Sequence, residues 1–275
     1  MQILIKTFQE LEDAKRWDID FHLPASLIED FIPNYVVQIN EVADIIQRDT
    51  RNPKDKPDEE FEYIDIGSLD ITEGTITEAK VTLGAEAPSR ARKVVKAFDI
   101  IVSTVRPTRG AVAVVPVELH DAIASTGYSI VRAHEEINPY YLHFALRLAS
   151  TREQFRKWST GSSYPAILDE DVAKTRIPVP SSEIQDKIAK IIFSASEKRR
   201  KEIASANSAW NNKISELTDL LIPEGKNNIK YIEKINQSSM TFTPEVDANQ
   251  NEIIAWDRIP TIESINKLRK YLKII

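Results

Sequence analysis

The chain of 275 residues contains no cysteine. Disulfides, thiolate nucleophiles and cysteine-ligated zinc are therefore excluded, and the composition suits a reducing compartment. Glycine is scarce, at seven, and forms no GxxxxGK[ST] or GxGxxG pattern, so no phosphate-cradling nucleotide loop is written into the sequence. A GxSxG nucleophile turn is missing too. The four histidines, His22, His120, His134 and His143, are scattered without metal-ligand spacing, and no cofactor or metal is expected. No apolar run approaches the ~20 residues that cross a bilayer. The opening MQILIKTFQELEDAKRWD lacks a signal-peptide pattern, and a soluble cytoplasmic protein is expected.

Positive charge is also in deficit, since 36 Lys and Arg against 42 Asp and Glu leave a net charge of -6. A uniformly basic nucleic-acid coat is excluded. The charge is unevenly placed, however. Residues 86–200 hold 18 Lys and Arg and 13 Asp and Glu, a surplus of +5 that leaves -11 for the remainder. A local basic surface on an acidic protein fits selective contact with a polyanion better than bulk adhesion.

What the chain does have is 42% hydrophobic residues, enough for a sizeable core. Residues 1–35 read as a lead-in that packs on the main body. Residues 47–60 are charged, carry two prolines and no apolar residue, and read as an exposed loop. β-Branched runs punctuated by Gly, Pro and Ser predict short strands at 61–66, 75–77, 100–102, 111–115, 122–124 and 128–131. Pro139 opens a helix over 140–150, with another over 151–158.

From Ser181 the period changes. Ile184, Ile188, Ile191, Ile203, Trp210, Ile214, Leu217 and Leu221 recur mainly at gaps of three and four, a helical stripe stopped by Pro223 and Gly225. The helix would be roughly 58 Å long, which calls for a partner helix. The fold class is α+β, a mostly-β domain followed by one long coiled-coil-like helix. The expected domains are 1–180, the helix 181–222, and a tail 223–275 ending in a helix over 262–275. No internal repeat is present.

The candidate chemistry lies on arginine-bearing loops. Ser89, Arg90 and Arg92 follow a Pro-Ser turn, and Arg106 and Arg109 flank Pro107 and Thr108. A second loop holds Gly161, Ser162, Ser163 and Tyr164. Guanidinium groups bind phosphate or guanine in a bidentate way, and hydroxyl and backbone N–H groups add short-range bonds. A solvated basic loop has the same composition. Asp65 and Asp70, or Asp169 and Asp171, offer acid–base pairs for a stand-alone metal-dependent nuclease or hydrolase. Each also suits an ordinary turn or helix cap. A third reading is a β module that binds protein and not DNA.

Five stretches in order resemble one family. They are SRAR (89–92), DIIVSTVRP (99–107), STGYSIVR (125–132), TGSSYPAI (160–167) and IPVPSSEIQDKI (177–188), preceded by FEYIDIGSLD (61–70). The chain from about residue 16 to 222 resembles the target recognition domain of type I restriction–modification specificity subunits. The family often has Glu-Gln adjacent at the helix start, whereas Glu183 and Gln185 here straddle Ile184. Members usually carry two recognition domains and two long antiparallel helices, so this chain resembles a half-length form. The resemblance implies homodimerisation through the helix stripe and binding of double-stranded DNA at the arginine loops. It also implies adenine methyltransferase subunits as partners, a restriction or translocase subunit where one exists, and no catalysis by this chain.

Overall fold

In the computed structural model the described residues are 5–17, 19–22, 28, 31–161, 163–219 and 261–274. They are organised as two units, one of residues 1–191 with 260–275 and one of residues 192–259.

The first unit is built on two four-stranded sheets. One has the order β6 (Lys80–Leu83), β3 (Glu60–Ile64), β10 (Ile123–Ser125), β7 (Ala91–Val94). The other has the order β2 (Ala43–Ile45), β11 (Tyr128–Ala133), β8 (Ile100–Ser103), β9 (Val112–Val114). Two short ladders pair β1 (Val36–Gln38) with β12 (Arg176–Pro178) and β4 (Leu69–Asp70) with β5 (Thr75–Ile76). All pairings are antiparallel except β10 on β3.

The second sheet is the middle layer, and strand alternation explains how. Val131 and Ala133 of β11, with Ile100 and Val102 of β8, face the helices α3 (Pro139–Leu146) and α4 (Ala149–Trp158). Tyr128, Ile130 and Ile101 point the other way and pack with Ile64 and Ala124 of the first sheet. A strand covered on both faces needs apolar residues at every position, hence the unbroken runs IIV and AVAVV. The two helices occur as expected, with Asn138 capping α3 through Tyr140 N and Tyr141 N.

Strands β2, β4, β6, β7 and β12 and the helix α5 (Asp169–Ala173) were not anticipated. Arg92, expected in a loop, stands in β7. Fully buried Ala91 and nearly buried Val94 hold that strand, although its sequence lacks a β-branched run. The aspartates serve as caps and turns. Asp65 accepts from Ile66 N, Asp70 from Thr72 N and Glu73 N, and Asp171 from Leu168 N at the start of α5.

The long helix α6 (Ser182–Asp219) is 38 residues, as the stripe predicts. Its root is bolted to the domain. Buried Gln185 accepts from Asn138 N at 3.0 Å and donates to Pro180 O at 2.9 Å. Asn138 Nδ2 donates to Asp186 at 2.7 Å. Ala189 is fully buried, and Ile188 packs on the domain core beside Ile177 and Tyr141. In the second unit Ile203, Trp210, Ile214 and Leu217 are all exposed. Leu221 lies outside the described residues. A short helix α1 (Phe8–Ala14) and a turn of helix α2 (Ile19–His22) form the lead-in, where Phe21 meets Trp158 edge-on at 5.9 Å. The tail helix α7 (Ile262–Tyr271) returns to the first unit. No helix among the described residues is long and apolar enough to cross a membrane.

His143 of α3 is buried against Val112 O at 3.1 Å, and burial, then neighbouring Arg147, lowers its pKa to about 4. The unfolded imidazole titrates near 6.5. Between those values the unfolded state binds more protons, so stability rises with pH. Urea unfolding should lose on the order of 1–2 kcal/mol from pH 6.5 to 5, and more below. A His143→Gln variant should flatten the slope in that window. An unchanged slope would place the titration elsewhere.

Candidate nucleic-acid interface

Backbone hydrogen bonds lace four of the five stretches side by side. Thr126 N donates to Arg90 O at 2.8 Å, joining the turn 125–127 to the SRAR segment. Thr104 donates to Gly127 O through both N and Oγ1, each at 2.9 Å. That joins the same turn to the exit of β8. Arg106 N donates to Pro165 O at 2.7 Å and Ile167 N to Thr104 O at 3.0 Å. These fasten the arginine loop 104–110 to the loop 160–167, where Thr160 and Ala166 form a bridge. The result is one continuous rim.

The rim's geometry is specific at Arg106. Its φ of 49° is left-handed, uncommon for a residue with a side chain. Its N–H bond to Pro165 O and the adjacent Val105–Ala166 bridge hold it there, and strain of this kind concentrates at functional sites. The guanidinium lies over the Tyr164 ring at 4.5 Å from the centroid and donates to Ser163 O at 3.3 Å. Tyr164 is itself 69% exposed, so an exposed aromatic and a stacked cation are presented together. Gly110 and Gly161 close the two loops with φ of 72° and 96°, values that favour glycine. Gly127 has a different constraint. A Cβ there would meet Ile66 Cδ1 at 2.4 Å.

The remaining candidates are distributed along the rim. Ser89, Arg90, Thr108 and Arg109 are exposed. The single helical turn Pro107–Arg109 packs its proline inward and leaves Thr108 and Arg109 outside. Arg92 is half-buried in β7 and donates to Ala91 O at 2.7 Å. It is the arginine least available at the rim. Ser162 lies outside the described residues. Thr104 and Thr126, which tie the rim, were not among the sequence candidates. Their signal was a threonine at a strand exit and a Ser-Thr-Gly turn. Lys93, beside Arg92 in β7, donates to Tyr128 O at 2.7 Å and pairs with Asp169 at 3.4 Å. Among the described residues no cluster of three or more His, Asp or Glu could hold a metal ion.

The chain is similar to known proteins in sequence and in fold. A family model described as type I restriction modification DNA specificity domain matches residues 33–207. The type I restriction enzyme HindI specificity subunit of Haemophilus influenzae is 26% identical over 136 residues, covering 48% of this chain and 30% of that protein. Among solved structures, the HsdS subunit from Thermoanaerobacter tengcongensis is 30% identical with a TM-score of 0.53, covering 72% of this chain and 52% of that one. A chain from a study of complex assembly and conformational transition of the type I R-M system is 33% identical with a TM-score of 0.54. It covers 70% of this chain and 50% of that one. This chain thus spans about half the length of the solved relatives it matches.

Proposed function

The chain belongs to the type I restriction–modification DNA specificity family, and on that premise we propose that it reads half of a bipartite duplex-DNA site. The observation that supports this reading is the laced rim, in which backbone hydrogen bonds join the SRAR segment, the turn 125–127, the arginine loop 104–110 and the loop 160–167. A cytoplasmic homodimer through α6 would present two rims at a fixed separation, with the helices as the ruler. Adenine methyltransferase subunits, and a restriction or translocase subunit where one exists, would supply the chemistry. This chain would select the site and leave base extrusion and methyl transfer to them.

The rim divides its arginines by preorganisation. Arg106 has its guanidinium plane fixed by Tyr164 and Ser163, which suits bidentate reading of a guanine edge. Exposed Arg90 and Arg109 suit phosphates. Arg106→Ala in the assembled complex should cost roughly 1–3 kcal/mol on the cognate duplex and relax one base position. Arg90→Ala and Arg109→Ala should weaken cognate and scrambled duplexes alike and lower the salt slope by about one each. Binding measured at several salt concentrations checks both. If all three variants bind like wild type, the rim is not the DNA surface.

The division of labour has its own test. The purified chain with magnesium, ATP and S-adenosylmethionine should neither cut nor methylate DNA. Methylome sequencing of cells with and without the chain should show one bipartite adenine motif disappear. Methyl transfer by the chain alone, or an unchanged methylome, would overturn the reading.

A further inference from the structure

Helix α4 packs against the single turn Pro107–Arg109 and brings one more arginine beside it. Ser150, Thr151, Gln154 and Phe155 form the buried face of α4. Thr151 Oγ1 donates to Ala145 O at 2.7 Å, which pins α4 to the end of α3. Arg152 is turned away from that face and is exposed. Its stem crosses Gly110 so closely that a Cβ on the glycine would stand 3.2 Å from Arg152 Cδ. Gly110 has the left-handed φ of 72° and directly follows exposed Arg109. Two exposed arginines, far apart in the chain, are thus brought together at one glycine of the rim loop.

The position of Arg152 costs the fold something. Among the described residues no carboxylate pairs with it, and Glu153 beside it pairs with Arg156 at 2.9 Å. Its charged neighbour is half-buried Arg147, whose guanidinium is committed to backbone carbonyls. Arg147 donates to Ile71 O and Thr72 O at 2.8 Å and to Glu73 O at 2.7 Å. Burial, and after it the charge of Arg152, lowers the pKa of Arg147, with Asp70 opposing them. Arg152 also stands near the start of α4, where the helix dipole disfavours a cation. An arginine that only needed solvation gains nothing from such a place. A bound anion would relieve both costs.

Continuity with the rim identifies the anion. Gly110 closes the same loop that carries Arg106 and Arg109, so an anion held there belongs to the polyanion that the rim engages. A phosphodiester offers two free oxygens to a guanidinium fork. It also accepts a lysine as a point charge, which a guanine edge read in a bidentate way does not.

We infer that Arg152 grips a backbone phosphate of the duplex beside Arg109, extending the contact from the rim loops onto helix α4. The inference rests on the DNA reading proposed above. Such a contact fixes the register of the duplex and carries no sequence information.

The test uses the assembled complex with cognate and scrambled duplexes. Arg152→Ala should weaken both about tenfold and lower the salt slope by about one for each rim engaged. Arg152→Lys should recover most of the loss. Cognate duplexes carrying a single methylphosphonate, moved along the backbone one position at a time, locate the contact. One position should cost the wild type affinity and cost Arg152→Ala nothing. If Arg152→Ala binds like wild type while Arg109→Ala is impaired, the Arg152 contact is overturned and the rim stands. If Arg106→Ala, Arg109→Ala and Arg152→Ala all bind like wild type, the rim falls and the contact with it. A loss confined to the cognate duplex, and not recovered by lysine, overturns the phosphate role in favour of base reading. A lowered urea midpoint with an unchanged salt slope overturns it in favour of a structural role.

Discussion

Replacing Trp210 and Ile214 together by Glu is expected to convert the homodimer proposed above into a monomer in light scattering. The urea stability of the recognition domain should not change. Both residues sit far from the bolted root of α6, at 66% and 41% exposure in the isolated chain, and Leu217 beyond them is 56% exposed. A helix of 38 residues with large apolar side chains open to water wants a partner along that stretch. Burying those side chains in a seam contributes on the order of 1.5–3 kcal/mol each. Carboxylates in their place add a desolvation cost of several kcal/mol per buried ion. The summed change should raise the dissociation constant more than a thousandfold. A monomer keeps its rim but loses the second one, so affinity for a bipartite site should fall to that for a half-site. A double variant that remains dimeric would move the interface off this face.

The choice of Trp210 and Ile214 shows what the sequence could and could not divide. Ile184, Ile188, Ile191, Ile203, Trp210 and Ile214 keep one helical period, so the helix itself was legible. The period does not say which neighbour covers each residue. Ile188 packs on its own domain's core, whereas Ile203 and Trp210 lie open. The strands with buried faces were legible as continuous β-branched runs. β7 was not, because ARKV is held by tertiary burial of Ala91 and Val94 and not by its own composition. The arginine loops were legible one at a time. Their juxtaposition depends on bonds such as Thr126 N to Arg90 O, between residues 36 apart, which no local pattern encodes. Gln185 carried an equally hidden role. At the sequence level it looked like a first-turn helix residue, and it proves to be the buried link between α6 and Asn138.

Asp99→Asn is expected to cost roughly 3–5 kcal/mol of folding stability, the largest loss from any single conservative change in the domain. The carboxylate is 1% exposed and takes Arg132 Nε at 2.7 Å and Arg132 Nη2 at 2.8 Å. It also accepts from Lys96 N at 2.9 Å. Burial pushes its pKa up, and the ion pair with Arg132 opposes that push. Removing the charge takes away the bidentate partner of Arg132, with buried Arg269 adding a second cation nearby. Asp99 also precedes β8, whose far end, Ser103, leads into the Arg106 loop, so the damage should extend to DNA affinity. Arg269→Met supplies the contrast. It forfeits one bond to Ala133 O but removes two unpaired buried donors, and should be neutral or stabilising in urea. A double-mutant cycle of Asp99→Asn with Arg132→Met should be strongly non-additive, because the second change removes the charge that the first exposes. Additive losses would mean that the buried pair is not the source of the cost, and that Asp99 acts through its bond to Lys96 N alone.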